Sequence, residues 1–185
     1  ELNEDREELL TEAFERPPAV LQRTLELEAS LIPIAEAIAG RPSAMYLGRG
    51  AFHALSFEGA LKLKEISYVH AEGFAAGELK HGPLALVEDG TPIIVCAPPD
   101  ESFTKTMTSI SETVARGAHV TLLTHGDQPR SYPDGAEVIS LPLCDNPWAP
   151  IAYTLPLQLL AYHCAVHRGL DVDRPRNLAK CVTVE

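Results

Sequence analysis

Glu58, Lys62 and Glu65 are spaced by four and three residues, and His81 follows on a Gly-Pro-terminated segment. The run Glu58–Ile66 holds one glycine and no proline, so it favours a helix. At 3.6 residues per turn the two acids and the amine fall on a single helical stripe. Carboxylate, amine and imidazole together make a general acid–base set. The same spacing also serves an ordinary solvated face stitched by surface ion pairs, and spacing by itself does not decide between the two. Gly82-Pro83 is a turn signal that places His81 on irregular backbone.

The elements that must hold such groups are strands and helices in alternation. Ala44–Leu47 is a short apolar run followed by Gly48-Arg49-Gly50 and a helix, the opening of a βαβ unit. His53 stands where a dinucleotide fingerprint needs its third glycine, so the glycines are read as allowing close backbone approach. Strands are predicted at 91–97, 119–124 and 137–141, with helices over 102–116 and 147–169. Residues 1–40 carry two helical patterns split by Pro17-Pro18, and Pro33 is expected to kink or break the second. The alternation predicts an α/β fold, a three-layer sandwich with a mainly parallel sheet flanked by helices, with residues 1–40 as a helical lead-in and 41–185 as the domain proper.

Composition narrows the partners. The net charge of −11, from 26 acidic and 15 basic residues, argues against nucleic acid and against an anionic membrane. Cys96, Cys144, Cys164 and Cys181 form no C-x-x-C pair, the usage of free thiols in a reducing, cytoplasmic compartment. No basic-then-apolar leader and no 18-residue apolar span is present, and the start at Glu1 without methionine suggests a piece of a longer protein. His163 and His167 have the i,i+4 spacing zinc can use but lack a third ligand, so no metal and no cofactor is expected. Arg174 and Arg176 flank Pro175 and suit anions or salt bridges, and Trp148 is read as a packing residue.

Two long runs, EGALKLKEISYVHAEGFAAGELKHGPLAL and DVDRPRNLAKCVTVE, carry a family likeness. Both resemble the second sugar-isomerase (SIS) domain of the glutamine–fructose-6-phosphate aminotransferases, and the likeness extends from about Met45 to Glu185. The resemblance implies a flavodoxin-like SIS fold ending in a catalytic tail, 170–185. It implies Glu65 as the base that moves a proton between C1 and C2, His81 as the ring-opening group acting across a subunit boundary, and Lys62 as a tuning or relay group. It also implies that Lys180 forms a Schiff base with the ketose, and that Ala179, Lys180 and Glu65 touch the substrate. Cys181 stands where many relatives carry serine. The implied ligand is a hexose phosphate, fructose 6-phosphate or glucosamine 6-phosphate; the implied partners are upstream SIS and glutaminase domains and a second copy in a homodimer. Cys96-Ala97-Pro98-Pro99-Asp100-Glu101-Ser102 occupies the place of a phosphate loop, yet two prolines remove donors and two acids repel an anion. The resemblance implies that a sister domain supplies those contacts. A stand-alone sugar-phosphate isomerase or deaminase, and a non-catalytic sugar-phosphate sensor, are the alternatives.

Overall fold

The computed structural model describes residues 17–126, 131–144 and 148–178. Its elements are α1 (Pro17–Leu25), α2 (Glu28–Ala39), β1 (Ser43–Gly48), α3 (Ala51–Ser67), β2 (His70–Ala75), β3 (Pro92–Cys96), α4 (Phe103–Val114), β4 (His119–His125), β5 (Ala136–Leu141) and α5 (Ala149–His167). All strand pairs are parallel, in the order β2-β1-β3-β4-β5. The expected α/β sandwich is therefore present.

Two apolar cores lie on opposite faces of this sheet. One joins α1, α2, α3 and α5 to strand residues such as Tyr46, Ile94, Cys96 and Leu123. The other joins α4 and the segment after β2 to Met45, Leu47, Ile93, Val95 and Leu122. Alternation along each strand sends successive side chains into different cores, which is why β3 is buried at every position. Burial pushes the Cys96 thiol up to about 12, so it stays protonated and packs as a small apolar group. Cys96, Cys144 and Cys164 are all buried.

Two details differ from expectation. The break in the lead-in falls at residues 26–27, and α2 continues through Pro33. Pro33 and Ala29, whose carbonyl loses its i+4 donor, both lie exposed, so water can satisfy that oxygen. Secondly, β2 is a strand that composition did not announce. Its inward residues are small because α3 lies directly on it: a Cβ at Gly73 would sit 2.7 Å from the backbone of Ser56 and Phe57. Gly48 has the same role at the end of β1, where a Cβ would collide with the Phe52 carbonyl.

Between β2 and β3 the chain crosses β1 not by a helix but by two 3₁₀ turns, Leu79–His81 and Pro83–Leu86. Leu79 is fully buried in the α4-side core. Lys80 pairs with Glu112 of α4 at 2.6 Å, and Ser109 Oγ donates to the Ala76 carbonyl at 3.0 Å. This segment is thus fixed on the sheet face opposite α3.

Candidate active site

The stripe predicted on α3 forms. Lys62 Nζ lies 2.9 Å from Glu65 Oε2 and 3.8 Å from Glu58 Oε1. The side chains of Lys62 and Glu65 are 32% and 31% exposed, so the pair is open to a ligand. The hydrogen bond to Glu65 is the main reason that the Lys62 ammonium is held above lysine's ordinary 10.5; partial burial opposes it and the charges of Glu65 and Glu58 assist. Lys62 is thus a fixed cation at neutral pH. Beside the stripe Phe57 and Leu61 are exposed at 53% and 42%, with the His53 ring 4.7 Å from that of Phe57. Polar acid–base groups and bare apolar side chains therefore share one outward surface.

The last turn of α3 also receives the C-terminal segment. Tyr68, three residues past Glu65, caps the helix in the left-handed conformation at φ 59. The Arg176 backbone N–H donates to Tyr68 Oη at 2.7 Å, and the Arg176 guanidinium lies 4.0 Å above the Tyr68 ring. Sequence reasoning considered Arg176 only for anions or salt bridges and did not single out Tyr68. The conformation leaves little trace in the sequence, since left-handed helix caps are usually glycine. Ala179, Lys180 and Cys181 lie outside the described residues.

His81 is exposed on the first 3₁₀ turn, its N–H donating to the Glu78 carbonyl at 2.9 Å. The fold does not bring it to Glu65: the sheet stands between the two.

In an open parallel sheet, ligands bind outside the strands' carboxyl ends where the strand order reverses, here between β1 and β3. That crevice carries an acid of the chain's own. Asp100 Oδ1 accepts from Ser102 N–H at 2.8 Å and from Ser102 Oγ at 2.6 Å, occupying donors at the start of α4 that a phosphate would use. A neighbouring cavity of about 140 Å³ is lined by Phe52, Pro98, Pro99, Asp100, His125, Cys144 and Ala149. Glu65, fourteen residues along α3 from Ala51, lies about 20 Å from this end of the helix. The acid–base groups thus sit away from the crevice and face outward.

Other polar candidates are engaged elsewhere. His163 Nε2 lies 2.8 Å from Glu28 Oε1, and His167 Nδ1 lies 3.7 Å from Glu36 Oε1, stitching α5 to α2. No group of three His, Cys, Asp or Glu able to hold a metal occurs among the described residues.

The parallel five-stranded sheet flanked by helices is the α/β fold of sugar-isomerase (SIS) domains, and the SIS domain family model matches residues 37–168. The chain belongs to the SIS-domain family. It is 48% identical over 97% of its length to the glutamine–fructose-6-phosphate aminotransferase [isomerizing] of Caulobacter vibrioides, and 45% identical over 100% to that of Shewanella oneidensis. It spans about 30% of the length of these curated relatives. Among solved structures, the C-terminal domain of glucosamine-fructose-6-phosphate aminotransferase from Francisella tularensis superposes with a TM-score of 0.88 at 39% identity. That match covers 94% of this chain and 49% of that one.

Proposed function

We propose that this chain is the C-terminal isomerase module of a cytoplasmic glutamine–fructose-6-phosphate aminotransferase, turning fructose 6-phosphate and glutamine-derived ammonia into glucosamine 6-phosphate. The observation that carries the reading is the Lys62–Glu65 pair on the outward face of α3, with the C-terminal segment docked three residues beyond it at Tyr68. Lys180 lies four residues after Arg176, a span of at most about 14 Å, so Lys180 has the reach to meet a sugar held against Glu65.

In this mechanism the Lys180 amine adds to the C2 carbonyl of the open-chain ketose and expels water. Ammonia then displaces the lysine, leaving a C2 imine. Glu65 takes a proton from C1 and returns it to C2 while the C1 hydroxyl proton passes to the imine nitrogen, so that C1 becomes an aldehyde and C2 an amine-bearing carbon. Lys62, held protonated, fixes and tunes Glu65 and is poorly suited to relay protons. His81 opens the sugar ring, acting in the site of a second copy in a homodimer; its segment's packing on the sheet face opposite α3 supports this reading. Ala179 and Lys180 line the sugar with Glu65. The phosphate is held by a sister SIS domain upstream, ammonia comes from a glutaminase domain, and residues 1–40 connect these to the domain 41–185.

The test compares this 185-residue chain with the extended protein, assaying fructose 6-phosphate isomerisation and borohydride trapping of the ketose. The extended protein should turn over and trap, the isolated chain should do neither, and Lys180→Ala should abolish trapping. Robust turnover by the isolated chain would show that it owns a complete site.

A further inference from the structure

Tyr68 adopts a backbone conformation that costs an L side chain strain and costs glycine nothing. Helices end there readily with glycine or asparagine, so a tyrosine needs a compensating contact. The contacts are those made to Arg176: an N–H donated to the phenol oxygen at 2.7 Å, and a guanidinium 4.0 Å above the ring centre. Asn177, the next residue, is also left-handed at φ 62, so the chain changes direction as it leaves the clamp. Glu65 lies three residues before Tyr68, and Lys180 four residues after Arg176.

We infer that Tyr68 and Arg176 are positioning residues that hold the C-terminal tail against the end of α3 and so deliver Lys180 to the sugar beside Glu65. This rests on the Schiff-base reading of Lys180 given above. The two halves of the clamp are separable. Tyr68→Phe removes the acceptor and keeps the ring, whereas Arg176→Gln removes the cation and keeps the N–H. Tyr68→Gly removes both while relieving the strain, so a clamp serving only stability and a clamp serving the tail give opposite results. Misplacing a reacting group by about 1 Å can cost about 100-fold in rate, which sets the scale of the effect.

The experiment uses the full-length enzyme. It measures the rate of borohydride-trapped adduct formation with fructose 6-phosphate, kcat, Tm, and hydrogen exchange of the tail amides from 177 onward. Arg176→Gln and Tyr68→Gly should slow trapping and kcat by about 10- to 100-fold and expose the tail amides, with Tm in Tyr68→Gly equal to or above that of the parent. Arg176→Lys, which keeps a cation for the ring, should recover part of the loss, and Tyr68→Phe should fall between. Trapping within about twofold of the parent in both Arg176→Gln and Tyr68→Gly, while Lys180→Ala abolishes it, would overturn the clamp. So would a rate loss that merely follows a fall in Tm. Trapping that survives Lys180→Ala overturns the Schiff-base assignment instead. Tail exchange then decides the clamp: loss of protection in Arg176→Gln supports it, and unchanged protection overturns it.

Discussion

The Glu65 carboxylate is held by one strong contact, Lys62 Nζ at 2.9 Å, and is otherwise open to whatever docks on α3. With its side chain only partly buried, replacing it should leave the fold intact. Glu65→Gln is expected to lower isomerisation in the full-length enzyme by about 10²- to 10⁴-fold, the usual value of a positioned acid–base group, with Tm lowered by no more than about 1–2 °C. A circular-dichroism melt beside the kinetic assay checks both halves. Lys62 carries the pH signature of the pair. Its pKa is raised on folding, so the stabilisation is fully present below lysine's ordinary 10.5 and is lost as pH rises through the folded value. For a half-exposed helical pair it amounts to a few tenths of a kcal/mol. Lys62→Met should therefore lower Tm by about 1–2 °C at pH 7, a gap that stays constant to pH 9 and closes only above 10.5. A gap that closes between pH 5 and 7 would mean that another group carries the contact. The i,i+3 spacing made the Lys62–Glu65 contact legible in the sequence, because helix geometry alone sets that distance. The roles of Lys180 and His81 came from family likeness, since a lysine near a terminus and a loop histidine have no spacing that reveals a partner. Tyr68 was not legible at all: a strained backbone and a contact 108 residues away leave no local pattern.

Among the elements, β1, β3 and β4 were readable because both of their faces are buried, giving near-continuous apolar runs, and β5, at the sheet edge, by its β-branched Val138 and Ile139 between exposed Glu137 and Ser140. β2 was not, and the reason is the packing of α3. His-Ala-Glu-Gly-Phe-Ala lacks the β-branched residues that mark a strand, because α3 approaches too closely for them. Its outward residues, His70 and Glu72, are exposed, as suits an edge strand. That close approach is also what fixes the acid–base stripe relative to the sheet. Gly73→Ala would drive a methyl group to 2.7 Å from the backbone of Ser56 and Phe57, atoms that cannot rotate away. It should cost about 1–3 kcal/mol or more, read as a lowered midpoint in urea with an unchanged slope. The second expected effect is a loss of turnover larger than at a neutral surface site, since α3 must shift with Glu65 on it. A Gly73→Ala protein as stable as the parent would show that α3 rides higher over β2 than the structure has it. The helix does not break at Pro33 for a related reason: tertiary burial of Leu31, Ile34 and Ile38 holds α2 together through a residue that an isolated helix would not tolerate.

At the scale of the whole molecule, the sheet separates the groups that the proposed chemistry requires on one sugar. Glu65 and Lys62 look outward from the α3 face, while His81 stands on a 3₁₀ turn locked to α4 by the buried Leu79 and by the neighbouring Lys80–Glu112 pair. No rotamer change carries an imidazole around a five-stranded sheet. Phe57 and Leu61, exposed beside the stripe, are consistent with the proposal that another folded unit completes that surface. A symmetric dimer resolves the geometry, because a two-fold axis lets each copy lend His81 to the other's Glu65 and Lys180. The consequence can be measured by mixing. Full-length Glu65→Gln and full-length His81→Asn should each be nearly inactive alone. In a hybrid dimer formed from one of each, one site receives both lesions and the other receives neither. Equal amounts, dissociated and reassociated, give hybrids as half of all dimers, so activity should recover to about a quarter of the parent's. If each site drew both residues from a single chain, every site in the mixture would carry one lesion and no activity would return. Recovery near zero, with hybrid formation verified by differential tagging, would therefore place His81 in its own chain's site and require the segment from Gly77 to Pro83 to leave α4.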